Sequence, residues 1–228
     1  MKKPQNPISS FPPSATIVPP SISFEPGVEV ITHYFNNLSP QQHRQFYQLG
    51  NLYATWNQRL NLISRQDLPN LYIRHVLHAL SIAKFIAFKA NTRMLDVGTG
   101  GGFPGIPLAI LFPDSSFHLV DSIAKKINAV QAIVEALQLT NVTTQVTRAE
   151  TLLHKYDFVL GRAVTQLDTF CSWVRNKIAT QSHHALPNGI LYLKGDAPLS
   201  LTLPHHIYPL ADVIDHPFFE NKQLIHIY

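Results

Sequence analysis

The run Met94-Leu95-Asp96-Val97-Gly98-Thr99-Gly100-Gly101-Gly102-Phe103-Pro104-Gly105-Ile106-Pro107-Leu108 reads as a short apolar strand carrying an acid, a glycine-rich turn and the start of an apolar helix. Pro104 suits the first turn of that helix. Glycines tolerate positive φ and let a ligand lie against the backbone, while a helix start presents unpaired N–H groups. A strand, turn and helix in this order hold a nucleotide-like ligand at the carboxyl edge of a parallel sheet. The dinucleotide fingerprint requires a third glycine where this chain has Phe103. Asp96, just before the turn, would repel phosphates but suits a ligand carrying an ammonium and a sulfonium. These residues point to S-adenosylmethionine rather than NAD, with Asp96, Gly98 and Gly100 beside it. A turn that is merely structural is the competing reading.

The segments that follow favour a ligand. Phe117–Asp121 is a second strand ending in an acid, 25 residues beyond Asp96. At that spacing Asp121 can accept hydrogen bonds from both ribose hydroxyls of an adenosine, and it can equally cap the helix expected over Ser122–Leu139. A third strand, Val142–Val146, leads into Arg148-Ala149-Glu150, where a backbone N–H and a carboxylate can read the adenine edge. A fourth, Tyr156–Leu160, ends in Gly161-Arg162-Ala163. Apolar runs that each end in a polar group make a ligand crevice along one sheet edge, so the expected class is α/β with a Rossmann-like sheet.

With 228 residues, 45% of them hydrophobic, the chain can build one sizeable α/β domain and a smaller appendage without disulfide staples. Cys171 is the single cysteine, which excludes an internal disulfide and a cysteine-based zinc site and fits a reducing, cytoplasmic setting. No apolar run reaches the length of a membrane span, so no membrane partner is expected. Residues 1–30 hold seven of the 17 prolines and no continuous apolar stretch, which argues against a secretory signal and for a disordered Pro-rich tail. The formal net charge of +4 has the sign that a nucleic-acid partner requires.

Residues 31–90 are expected to form a helical appendage and 91–228 the main domain. Ser39-Pro40-Gln41-Gln42 supplies an N-cap, a proline at the first helical position and a capping-box glutamine. Phe46, Leu49, Leu52, Tyr53, Trp56 and Leu60 then recur on one helical stripe. Asp67 is expected to cap another helix with Leu71, Val76, Leu80, Ala83 and Phe85 or Ile86 inward. Arg59, Arg65, Arg74 and Lys84 are candidates for phosphate contact. His75 and His78 share a helix face, and His183-His184 and His205-His206 are paired. No ligand spacing links them, so no metal is expected and they read as surface or capping residues.

Trp56-Asn57-Gln58-Arg59-Leu60-Asn61-Leu62-Ile63-Ser64, Ile73-Arg74-His75-Val76-Leu77, Leu95–Leu108, Leu119-Val120-Asp121-Ser122 with Lys125-Lys126, Gly161-Arg162-Ala163 and Leu193-Lys194-Gly195 follow one another in order. In these segments the chain resembles the bacterial 16S rRNA guanine-N7 methyltransferases, the glucose-inhibited division protein B family. The resemblance implies a seven-stranded, mostly parallel class I S-adenosylmethionine-dependent methyltransferase that modifies N7 of a guanosine in the 530 loop of 16S rRNA. It implies cofactor contacts at Gly98, Phe103, Ala149, Glu150 and Arg162. The small ribosomal subunit or an assembly intermediate is then the partner, and the enzyme is expected to act as a monomer. His78 departs from the acid that close relatives carry after the Arg-His pair.

Guanine N7 has a lone pair and no proton, so in-line attack on a sulfonium methyl needs alignment and no general base. A missing catalytic set is therefore expected. Gly161-Arg162-Ala163-Val164 stands where exocyclic-amine methyltransferases carry an Asn/Asp-Pro-Pro-aromatic motif. Cys171, inside the apolar Leu167–Val174, reads as core and not as the nucleophile that cytosine-C5 chemistry needs. Arg162 is the one catalytic candidate. Near a sulfonium it needs an acceptor partner: the methionine carboxylate, an RNA phosphate, guanine O6, or a structural salt bridge. Lys125, Lys126, Arg148, Arg175 and Lys194 are candidate RNA-backbone contacts. A small-molecule or protein methyltransferase with the same cofactor site is an alternative that substrate competition separates. A non-catalytic S-adenosylmethionine-binding module is another, and it would transfer no methyl.

Overall fold

The computed structural model describes residues 22–195 and 201–228. Strands β1 (Arg93–Val97), β2 (Ser116–Asp121), β3 (Val142–Val146), β4 (Phe158–Arg162), β5 (Gly189–Gly195), β6 (His205–Pro209) and β7 (Lys222–Ile227) form one sheet in the order β3-β2-β1-β4-β5-β7-β6. The pairs among β1 to β5 are parallel, and β7 runs antiparallel between β5 and β6. Strand order reverses between β1 and β4, and there the following loops part and open a crevice. Asp96 pairs across to Leu119 and Leu160, and Asp121 to Val146, so the carboxyl ends of the central strands lie level. The fourth strand starts and ends two residues later than its apolar run suggests. Tyr156 makes only an isolated bridge to Ile178, whereas Gly161 and Arg162 pair with Tyr192 and Leu193. Arg162 is thereby carried by the sheet.

Helices cover both faces: α1 (Glu29–Tyr34), α2 (Pro40–Asn57), a π-helix (Tyr72–Leu77) running into α3 (His78–Leu80), α4 (Gly105–Leu111), α5 (Ala124–Ala136) and α6 (Leu167–Val174). Side chains alternate across a strand. Met94, Phe117, Leu119, Phe158, Leu160 and Leu191 therefore meet α2, α4, α5 and the π-helix on one face. Leu95, Val97, Val120, Val159 and Tyr192 meet Leu167, Phe170, Cys171 and Val174 of α6 on the other. Cys171 is a core residue there. Helix α5 begins later than expected because the Asp121 carboxylate takes the Ile123 N–H at 2.9 Å and keeps residues 122–123 out of the helix.

The capping box at Ser39 and Gln42 forms as read. The same Gln42 amide donates to the carbonyls of Ile110 and Leu111 at the end of α4, and Gln45 donates to the Leu137 carbonyl after α5. Phe46, Leu49 and Tyr53 of α2 are fully buried in one cluster with Leu108, Ile133 and Leu137. The expected tail falls outside the described residues as far as residue 21. Beyond it Ile22, Phe24 and Val28 pack on the core, Phe24 edge-on against Tyr72 at 5.6 Å, and α1 starts at Glu29.

Two local expectations are corrected. Asp67 caps no helix: its carboxylate takes the Arg74 guanidinium at 2.6 Å and the Ser64 hydroxyl at 3.0 Å, and a single tight turn, Leu68–Asn70, follows. Pro104 stands at the N-cap position of α4, and Pro107 lies within its first turn. Among the described residues no helix is long and apolar enough to cross a membrane.

Phe46→Ala should cost about 3–5 kcal/mol. Because α2 shares its core with the sheet, urea unfolding should remain one transition in that variant. Two separable transitions would contradict the shared core.

Candidate active site

The glycine turn between β1 and α4 is built from positions that only glycine fills without strain. Gly98 has φ +66° and Gly102 φ +93°. A Cβ on Gly98 would meet the Val164 side chain at 2.9 Å, and one on Gly102 would meet Ile106 at 2.4 Å. The turn is tied on three sides. Thr99 N–H reaches the Val120 carbonyl at 3.0 Å, the Tyr53 hydroxyl donates to the Gly101 carbonyl at 2.6 Å, and Asp121 Oδ2 accepts the Gly100 N–H at 3.0 Å. Asp121 thus caps residue 123 with one oxygen and clasps the turn with the other.

Asp96 lies beneath the turn with 1% of its surface exposed. Its Oδ2 accepts the Thr99 hydroxyl at 2.7 Å and the Gly105 N–H at 2.9 Å. Its Oδ1 is buried with no hydrogen-bond partner. Burial raises the carboxyl to about 6, against the pull of Thr99, Gly105 and Arg162.

Two cavities flank the turn. One, of about 320 Å³, is lined by Asp121, Ile123, Arg148, Ala149, Glu150 and Trp173. The other, of about 410 Å³, is lined by Gly100, Phe103, His75, His78, Arg162 and Lys222. Gly98, Lys126 and Ala163 belong to both. Of the residues singled out in the sequence, Gly98, Gly100, Phe103, Asp121, Ala149, Glu150 and Arg162 come together on these walls, and Asp96 sits underneath. A third cavity of about 540 Å³ lies at the opposite edge of the sheet, around Lys89, Arg93, Asp157 and His184, and contains none of them.

Arg162 takes part in no ion pair among the described residues, so the salt-bridge alternative falls away. Its N–H groups go to the Arg74 carbonyl at 3.3 Å and to His75 Nδ1 at 3.1 Å. Its guanidinium carbon lies 5.0 Å from the Phe103 ring centre. Burial lowers its pKa to about 10, with Asp96 and Tyr53 opposing that shift. His75 and His78 are not surface histidines. His78 is 6% exposed and His75 half-buried, both line the cavity, and burial followed by the Arg162 charge holds both far down, His75 at about 3. Their three-residue spacing beside Arg74 was the visible signal. Lys222, brought in by β7, carried none. Of the four basic candidates between residues 59 and 84, Arg74 is spent on Asp67, and Lys84 donates to the Tyr34 carbonyl at 2.6 Å. Arg59 and Arg65 are exposed.

The residues present suit a cationic adenosine ligand. The turn offers bare backbone, Asp121 and Glu150 border one cavity, and the unpartnered oxygen of Asp96 lacks the donor that an ammonium, directly or through water, provides. A sheet of this order with this turn defines the class I S-adenosylmethionine-dependent methyltransferases.

Comparison with known proteins narrows the class. A sequence model of the family described as rRNA small subunit methyltransferase G matches residues 42–200. A protein of that name from Flavobacterium johnsoniae is 48% identical over 204 residues, covering 88% of this chain and 97% of that one. Its namesake from Cytophaga hutchinsonii is 47% identical, covering 88% and 99%. A solved precorrin-6y C5,15-methyltransferase from Geobacter metallireducens aligns over 73% of this chain and 90% of that one, with 13% identity and a TM-score of 0.47. The chain belongs to the rRNA small subunit methyltransferase G family, and it is an enzyme that uses S-adenosylmethionine.

Asp96 must be ionised to hold an ammonium, so affinity for S-adenosylhomocysteine should weaken as the pH falls through about 6. Asp96→Asn should bind about tenfold more weakly at pH 8 and lose that acid limb, as calorimetric titrations at pH 5 and pH 8 would record. The sign for folding is opposite. A carboxyl raised by folding is most favourable when protonated, so its cost to stability grows as the pH rises from about 4 to about 6. An Asn variant with unchanged affinity and pH dependence would contradict this role.

Proposed function

We propose that this protein transfers the methyl group of S-adenosylmethionine to N7 of a guanosine in the 530 loop of 16S rRNA, on the small ribosomal subunit or an assembly intermediate. The rRNA substrate rests on the relatives, whose names state it. The choice of acceptor atom rests on one feature: among the described residues, the cavity beside Arg162 holds no side chain poised to take a proton near neutral pH. His75 is neutral and pinned at about 3, and Asp96 is buried beneath the turn and lines neither cavity. An amine or a cytosine C5 needs such a base or a nucleophilic cysteine, and Cys171 is in the core under α6. N7 needs neither.

In this reading Asp121 takes the ribose hydroxyls, Ala149 and Glu150 the adenine edge, and Asp96, beneath the turn, the ammonium through water. Gly98 and Gly100 let the ligand lie on the backbone, and Phe103 and Arg162 border its amino-acid end. The cofactor, when bound, supplies an activated methyl group. The protein aligns the acceptor with it and keeps water away. Lys126, Arg148 and Lys222 on the cavity walls, with the exposed Lys125 in the first turn of α5, form the approach for the RNA backbone, whereas Arg175 follows the far end of α6, toward the opposite sheet edge. A single chain supplies every wall, so a monomer suffices.

Incubation with unmodified small subunits and labelled cofactor should place label on N7 of a guanosine in the 530 loop; transfer to another atom, or none, would overturn the assignment. Arg162→Ala should lower cofactor affinity or turnover by about tenfold or more while moving the melting temperature little, since within the protein the side chain makes two neutral hydrogen bonds and one contact with the Phe103 ring, and no ion pair among the described residues. Wild-type affinity and rate in that variant would remove Arg162 from the site. RNA binding should weaken steeply with added salt, and a flat response would count against the basic approach.

A further inference from the structure

Arg162 is oriented by neutral partners alone. A guanidinium has only donors, so the 3.1 Å contact requires the His75 lone pair at Nδ1 and its proton on Nε2. That Nε2 is buried and has no hydrogen-bond partner. The imidazole is itself fixed. Its ring centre lies 5.3 Å from that of Phe103. It is carried by the π-helix, whose first residue, Tyr72, is bonded to α2 through the Phe46 carbonyl at 2.9 Å and the Gly50 N–H at 3.2 Å. A π turn shifts side chains out of α-helical register and recurs at functional sites.

A carboxylate in the place of His75 would orient Arg162 equally well but would neutralise it inside the protein. A neutral acceptor orients the group and leaves its charge available. Among the described residues no acid stands within ion-pair distance of Arg162, and such a half-buried cation draws its counter-ion from a ligand. The two cavities meet at Gly98 and Ala163. With adenosine beside Asp121 and Glu150, the amino-acid end of the cofactor falls among Phe103, His75 and Arg162.

We propose that His75 is a positioning residue, which orients Arg162 through Nδ1 and leaves the guanidinium free to pair with the carboxylate of the S-adenosyl ligand. This rests on the cofactor placement given above and is independent of the RNA substrate.

Calorimetric titration of the full chain, without RNA, tests it with two ligands. S-adenosylhomocysteine carries the carboxylate, and methylthioadenosine lacks the amino-acid end. His75→Phe keeps a ring but loses the acceptor. It should weaken S-adenosylhomocysteine by about tenfold or more, as loss of a charge-assisted hydrogen bond does, and leave methylthioadenosine within about twofold. His75→Asn, whose amide oxygen can accept from Nη2, should recover most of the loss. Wild-type affinity for both ligands in His75→Phe overturns the proposal, and so does equal weakening of both. Because no RNA is present, either result leaves the guanine assignment standing, and a failed guanine assignment leaves these titrations unchanged.

Discussion

Two carboxylates hold the glycine turn. Asp121, at the end of β2, clasps the Gly100 N–H, and Asp96, within β1, clasps Thr99 and the Gly105 N–H that opens α4. The turn is stripped of side chains so that a ligand can rest on it, and a stripped turn costs more conformational entropy to order than any other segment of the same length. The clamps offset that cost by fixing the turn to two neighbouring strands, while α2 reaches it from the far side through Tyr53. Gly105 shows how close the fit is. A Cβ there would lie 2.7 Å from Asp96 Oδ2 and 2.8 Å from Leu119.

The charges around the turn are deliberately incomplete. Asp96 keeps one oxygen without a donor, and Arg162 keeps its charge without an acid. Each is expensive to bury, and in the proposed placement each would be matched by one end of a zwitterionic amino-acid group. His75 and His78 fit the same logic. Burial keeps both neutral, so they shape and orient without adding to the positive charge that a sulfonium would feel.

Much of this was legible in the linear chain, for identifiable reasons. β1, the turn and the acids at 96 and 121 are local patterns, and the central strands β1 and β4 are buried runs of a parallel sheet, so their presence could be read from period and punctuation. The capping box at Ser39 likewise depends on neighbours three residues apart. What stayed hidden depends on distant partners. The strand limits of β4 were set by β5. Asp67 chose Arg74 over a helix N-terminus. The π-helix left no periodic trace, and the burial of His75 and His78 came from packing against Phe103 and Phe218. Lys222 enters only because β7 inserts beside β5.

The central claim is that one S-adenosyl ligand spans both cavities, crossing the turn at Gly98. A crystal structure with S-adenosylhomocysteine tests it directly. The account predicts adenosine between Asp121 and Glu150, the ammonium toward Asp96 and the carboxylate on Arg162. A ligand seated elsewhere, or lying across the turn with its carboxylate turned away from Arg162, would contradict it.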